Sequence, residues 1–186
     1  MDYKKINRRN FIKQSALASA SLTFMSSRIS ASTKKFPNLR LGVIGTGLRG
    51  QWMTNLCLLR NDVDIKAICD IDSEMINKTL NIIKKAGGKP PDVYKNGQHD
   101  FLNLVQRDDL DAVYIATPWE WHHPMAVAAM KQGKHVGVEC PAALKIKDLW
   151  DLVNVSEKEK KHCMLMENVC YRRDVMAVLN MVRNGV

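Results

Sequence analysis

The residues Gly45-Thr46-Gly47-Leu48-Arg49-Gly50 close a short apolar run, Leu41-Gly42-Val43-Ile44, and open a segment with helical periodicity. A strand that ends in G-x-G-x-x-G and leads into a helix is a phosphate-binding turn. The first glycine permits the tight turn, Gly47 lets a pyrophosphate approach the backbone, and Gly50 lets helix and strand pack closely. Free N–H groups at the start of that helix, with its positive dipole end, favour an anion. Leu48 and Arg49 stand at the turn itself.

An acidic partner follows at the expected distance. Asp70 stands at the carboxyl end of the segment 63–69, which reads as a strand, roughly 20 residues beyond the glycines, where a carboxylate accepts hydrogen bonds from ribose hydroxyls and repels a 2′-phosphate. Asp72 adds negative charge and no arginine follows closely, so the pattern favours NAD(H) over NADP(H). The bland alternative makes Asp70 an ordinary turn residue.

Three further segments carry chemistry-bearing side chains. In Thr117-Pro118-Trp119-Glu120-Trp121-His122-His123-Pro124, two tryptophans in a short loop suit the covering of a nicotinamide or sugar ring. They could equally pack on the domain's own core. His122 could donate to a ribose or substrate, or cap the helix expected over 123–132. Adjacent histidines rarely reach one ion, and no partner ligands are spaced nearby, so no metal site is expected. The second segment is Glu139-Cys140-Pro141, and the third runs from Glu167-Asn168 to Tyr171-Arg172-Arg173.

The elements that must position these residues alternate. Strands are expected at 40–44, 63–69, 111–115, 135–138 and 162–166. Helices are expected at 49–60, 73–86, 98–106, 123–132, 145–160 and 172–184, with a loop over Gly87-Gly88 and Pro90-Pro91. Apolar strands between amphipathic helices predict an α/β, doubly wound parallel sheet over residues 36–186, a Rossmann dinucleotide-binding domain. Ligands of such sheets bind at the carboxyl ends of the strands, where all four segments lie.

Charge and cysteine content narrow the classes. The formal charge is +9, from 28 basic and 19 acidic residues, but residues 1–35 hold eight of the basic and one of the acidic residues. The remainder is near neutral and has no basic stripe interleaved with aromatics, which argues against nucleic acid as a partner. Within the leader, Asn7-Arg8-Arg9-Asn10-Phe11-Ile12-Lys13 matches a twin-arginine export motif, and a mild apolar stretch follows from about Ala16 to Met25. That stretch is too short to span a bilayer, which takes ~20 apolar residues. Residues 1–35 therefore read as a signal peptide and linker, with the twin-arginine export machinery as partner and a periplasmic or extracellular destination. A basic disordered tail is the alternative. Cys57, Cys69, Cys140, Cys163 and Cys170 show no C-x-x-C spacing, so neither a disulfide framework nor a zinc site is expected.

GTGLRG, the T-P-x-x-x-H loop, and Gly133-Lys134-His135-Val136 leading into E-x-P together resemble the Gfo/Idh/MocA oxidoreductases, over essentially all of residues 38–186. The resemblance implies NAD(P) on an N-terminal Rossmann domain and a sugar-like substrate on a second α/β domain. That second domain is expected to lie beyond Val186, and this chain is expected to be a fragment that is inactive alone. Self-association through the second domain is also left open.

Dehydrogenases of the family carry E-K-P, where Cys140 stands here. That departure, with Trp119-Glu120-Trp121-His122 and Tyr171-Arg172-Arg173-Asp174, resembles glycoside hydrolase family 109. The resemblance implies cleavage of terminal α-N-acetylgalactosamine from a glycoside or amino-sugar substrate. NAD⁺ would oxidise the sugar at C3, elimination and water addition would follow, and the hydride would return. It further implies that Trp119, Glu120, Trp121 and His122 line the nicotinamide side, with Glu139 and Cys140 at its ribose and ring and Asn168 at its carboxamide. Tyr171 becomes the catalytic candidate, or else a tyrosine packed at the domain edge. A sugar dehydrogenase, and an NAD-binding module without turnover, are the alternative functions.

Overall fold

A computed structural model describes residues 37–185; the leader expected over residues 1–35 lies outside the described residues. Six strands, β1 (Leu39–Ile44), β2 (Val63–Cys69), β3 (Asp92–Tyr94), β4 (Ala112–Ile115), β5 (His135–Val138) and β6 (Cys163–Leu165), form one sheet in the order β3-β2-β1-β4-β5-β6. Every pairing is parallel. The helices are α1 (Leu48–Leu58), α2 (Ser73–Lys85), α3 (Phe101–Val105), α4 (Trp119–Lys131), α5 (Ile146–Glu159) and α6 (Arg173–Arg183). This is the expected doubly wound sheet, and its order reverses between β1 and β4.

Strands buried on both faces must be apolar throughout, and alternate residues then serve opposite faces. β4 illustrates this: Val113 and Ile115 join the core with Ile44, Met125 and Met130, while Ala112 and Tyr114 join the other core with Val43, Ile68 and Ile76. Each fully buried Ile or Val in these layers contributes about 1.5–3 kcal/mol through apolar burial. α2 shows how helix boundaries arise locally. The Asp72 carboxylate accepts from the N–H groups of Glu74 (2.7 Å) and Met75 (3.3 Å), and Ile76, Thr79 and Ile83 form its buried stripe.

Register brings the functional segments to one edge. Ile44 pairs with Cys69 on one side and Ile115 on the other, and Ile115 pairs with Val138. The next residues along each strand therefore emerge side by side. Gly45 N–H donates to Cys69 O (2.8 Å), Ala116 N–H to Ile44 O (2.9 Å) and Glu139 N–H to Ile115 O (3.0 Å).

Three local expectations are corrected. The segment over 119–122 is helix, not loop: α4 begins at Trp119, with Pro118 at its N-cap and Pro124 inside it. Proline is common at a first helical position, which made Pro124 read as the start. A three-residue strand, Asp92–Tyr94, lies in the expected proline loop at the sheet edge, pairing Ala67 with Asp92. Val169–Tyr171 forms a turn of 3-10 helix ahead of α6.

At the amino ends of the strands, away from the glycine turn, Arg40 of β1 grips Asp111 just before β4. Its Nε donates to Oδ2 (3.0 Å), a guanidinium nitrogen to Oδ1 (2.6 Å) and its backbone N–H to Oδ2 (2.9 Å). These bonds from Arg40 lower the Asp111 pKa from 3.8 to about 2. A depressed carboxylate pKa gives stability present above the unfolded value and lost as pH falls through the folded one. Acid unfolding of the chain should therefore steepen between pH 4 and pH 2. Asp111→Asn should flatten that segment of a stability-versus-pH curve, and an unchanged curve would refute the assignment.

Candidate functional site

The glycine turn is built from three different constraints. Gly45 has φ +90°, and a Cβ there would lie 2.5 Å from Ala116 O. A Cβ on Gly50 would lie 2.0 Å from Gly45 O, so close contact of α1 with the turn excludes any side chain. At Gly47 an added Cβ meets no protein atom within 4 Å. Gly47 alone of the three is not required by packing, and it faces space a ligand can use. No side chain caps the start of α1, which also has no acid in its first turn. Its leading N–H groups thus remain an anion site.

Asp70 reaches back to this turn. Its Oδ2 accepts from Thr46 N–H (2.6 Å) and Thr46 Oγ1 (2.9 Å), and its Oδ1 accepts from Asp72 N–H (2.9 Å). Thr46 is fully buried, and its carbonyl takes a bond from Gln51 Nε2 (2.8 Å). A carboxylate has about four acceptor sites, so Oδ1 retains room for one further donor. The carboxylate both fastens β2 to the turn and presents a free acceptor.

Turn, acid and helix enclose a cavity of about 560 Å³. Gly47, Leu48 and Arg49 line one side, Asp70, Ile71 and Met75 another, and Thr117, Glu120 and Trp121 the third. A smaller cavity of about 150 Å³ is lined by Trp119, His122, Glu139 and Cys140, and shares Arg49, Ala116 and Thr117 with the first. The two cavities therefore adjoin, with Arg49 between them.

The individual side chains differ from expectation in informative ways. Trp121 is half-buried against Phe101 (ring centroids 6.2 Å) and His99 (5.6 Å), and presents its remaining surface to the large cavity. Trp119 is 60% exposed at the first helical position. His122 is buried, with Nδ1 at 2.7 Å from Pro141 O and Nε2 at 2.8 Å from Thr117 O. Each nitrogen faces a carbonyl oxygen and the ring N–H donates to one of them, so the ring packs the start of α4 against the turn after β5.

Glu139 is the hub of the smaller cavity. Its Oε1 accepts from Tyr114 OH (2.6 Å) and Arg49 Nε (2.8 Å), and the Arg49 guanidinium lies over the Trp52 ring at 4.3 Å. Burial, then the bond to Glu139, pushes the Tyr114 hydroxyl well above its ordinary range, so it stays protonated and donates. The bond to Glu139 raises Arg49 further. The Cys140 thiol donates to Glu167 Oε2 (3.3 Å). Burial, then this bond, pushes its pKa up, and it stands at neutral pH as an uncharged thiol.

Asn168 and Tyr171 are not brought to either cavity. Both are exposed beside the 3-10 turn, Tyr171 at 70%. Thr46, Ile71, Met75 and Tyr114 were assigned no role from the sequence, and Glu167 was named only as part of its segment. Thr46 alone had a signal there, as the residue between two glycines with an acid 24 positions later; Tyr114 read only as strand interior.

The three glycines should separate experimentally. Gly50→Ala should lower unfolding stability by about 1–3 kcal/mol through overpacking against Gly45 O. Gly47→Ala, where a poorer N-cap and a less flexible unfolded chain act in opposite directions, should change stability by less than about 1 kcal/mol yet weaken dinucleotide binding. Urea unfolding and ligand titration of both variants check this, and equal effects of both on stability would contradict it.

With this geometry established, the chain's relatives are informative. Residues 39–167 match the Gfo/Idh/MocA model, described as an oxidoreductase family with an NAD-binding Rossmann fold. A glycosyl hydrolase family 109 protein of Parabacteroides distasonis is 52% identical over 149 residues, covering 80% of this chain and 32% of that protein. One from Saccharopolyspora erythraea is 47% identical over 148 residues, with the same coverage. One from Solibacter usitatus is 44% identical over 190 residues, covering 98% of this chain and 43% of the relative. The chain thus spans less than half the length of these relatives. Among solved structures, scyllo-inositol dehydrogenase of Lactobacillus casei with bound NAD(H) and scyllo-inositol shares the fold at TM-score 0.68 and 21% identity, over 80% of this chain and 42% of that one. The glycine turn, the acid after β2, the parallel sheet and the family match agree: this chain belongs to the Gfo/Idh/MocA oxidoreductase family.

Proposed function

We propose that the chain is the NAD(H)-binding part of a glycosidase acting on terminal α-N-acetylgalactosaminides. The observation that carries the cofactor half of this reading is Asp70, fixed to the glycine turn through Thr46 and lining a cavity large enough for part of a dinucleotide. The glycosidase half rests on the names of the relatives and on Cys140 where dehydrogenases carry lysine.

The residues present fit the cofactor. The free N–H groups at Leu48 and Arg49, with the open face of Gly47, suit a diphosphate. Asp70 Oδ1 suits an adenosine ribose hydroxyl and disfavours a 2′-phosphate, while Ile71 and Met75 offer apolar surface beside it. Glu120 and Trp121 border the far end of the large cavity, and Trp119, Glu139 and Cys140 border the small one.

When bound, the nicotinamide supplies reversible acceptance of a hydride, which acidifies a proton next to the oxidised carbon. The chain's own residues bind, orient and exclude water. Cys140 is held neutral by burial and by Glu167, so it cannot deliver a proton as an ammonium would. Proton transfer to and from the sugar therefore falls to groups outside this cavity. The exposed Tyr171 becomes a catalytic residue only where substrate is brought against it. The leader's expected export through the twin-arginine machinery to the periplasm or beyond belongs to the same proposal.

The intact enzyme should release N-acetylgalactosamine from an aryl α-glycoside without added NAD, and product formed in D2O should carry deuterium at C2. Unlabelled product would rule out the redox route. Stoichiometric NADH with no glycosidic cleavage would instead identify a sugar dehydrogenase.

A further inference from the structure

We infer that Tyr114 is a positioning residue for the nicotinamide-side ribose, acting through Glu139, an inference that rests on the dinucleotide reading above. Tyr114 is the third residue of β4 and is 3% exposed, with its ring in the core shared by β1, β2 and α2. A buried tyrosine in that layer needs an acceptor for its hydroxyl, and a phenylalanine would fill the same space without one. Its hydroxyl meets Glu139 Oε1 at 2.6 Å, a length typical of a charge-assisted bond.

The geometry then assigns the two oxygens of Glu139 different tasks. Oε1 is taken by two donors, Tyr114 OH and Arg49 Nε. Among the described residues no donor reaches Oε2, although Glu139 is only 13% exposed and borders the smaller cavity. A carboxylate held by one oxygen between a buried phenol and a guanidinium cannot rotate freely. Its second oxygen is left as an acceptor of fixed direction, the arrangement a sugar hydroxyl requires. Arg49 can leave, because it is partly exposed and belongs also to the phosphate turn. Tyr114 cannot leave the core. It therefore keeps Glu139 in place when Arg49 turns toward a diphosphate.

ADP and NAD separate this role from a structural one, since ADP lacks the second ribose. Tyr114→Phe should weaken NAD binding to the chain about tenfold, the loss expected for one hydrogen bond to a charged acceptor. ADP binding should stay unchanged. Glu139→Gln should also weaken NAD selectively, and adding Tyr114→Phe to it should weaken NAD no further. Glu139→Asp, which retracts the carboxylate from Tyr114 and leaves the core intact, should reproduce the selective loss. Equal losses for ADP and NAD, or no loss for either, would overturn the inference while leaving the dinucleotide reading intact. Failure of the unmodified chain to bind ADP or NAD would instead overturn the reading on which it rests.

Discussion

The structure turns on one short contact, Asp70 Oδ2 with the backbone and hydroxyl of Thr46. It crosses from the end of β2 to the middle of the glycine turn. The turn has few other means of holding its shape, because it carries three glycines and a start to α1 that no side chain caps. Glycine makes the path accessible but also makes it costly to order. Asp70 offsets that cost with a charge-assisted bond to a fully buried threonine. The same carboxylate that shapes the anion site therefore stands beside it, which links folding of the turn to the ribose contact proposed for it.

Parallel register extends this local device to the rest of the site. Because β1, β2, β4 and β5 end at the same level, Gly45, Asp70, Ala116 and Glu139 emerge as neighbours although they span nearly a hundred positions. His122 then packs the α4 start against the turn after β5, between two carbonyl oxygens, and Arg49 ties α1 to the same turn through Glu139. The two cavities are the spaces left between these ties.

Local signals in the sequence were sufficient for most of the fold. β2 and β5 fall at their expected bounds: in β2 Val63, Ile65 and Ala67 alternate with Asp64 and Lys66 before Asp70, and β5 follows the Gly133-Lys134 turn. The glycine spacing and Asp70 were legible because the chemistry there depends on residue type alone. β3 was not legible: three residues after two prolines carry no periodicity, and only pairing with β2 makes them a strand. The helix over Trp119–His122 was hidden by Pro124, which marks a helix start more often than an interior. Tyr114 and Glu139 lie 25 residues apart and meet only because β4 and β5 are adjacent. Placement of Asn168 at the nicotinamide carboxamide, and of Tyr171 as the catalytic candidate, came from resemblance, and among the described residues both stay outside the cavities.

The central claim is that this corner recognises a dinucleotide through Asp70. Calorimetric titration of NAD and NADP into the chain and its Asp70→Arg variant tests it most directly. NAD should bind the unmodified chain more tightly than NADP, and the variant should lose NAD affinity and the preference together. Indifference of NAD affinity to reversal of that charge, in a variant that still folds, would contradict it.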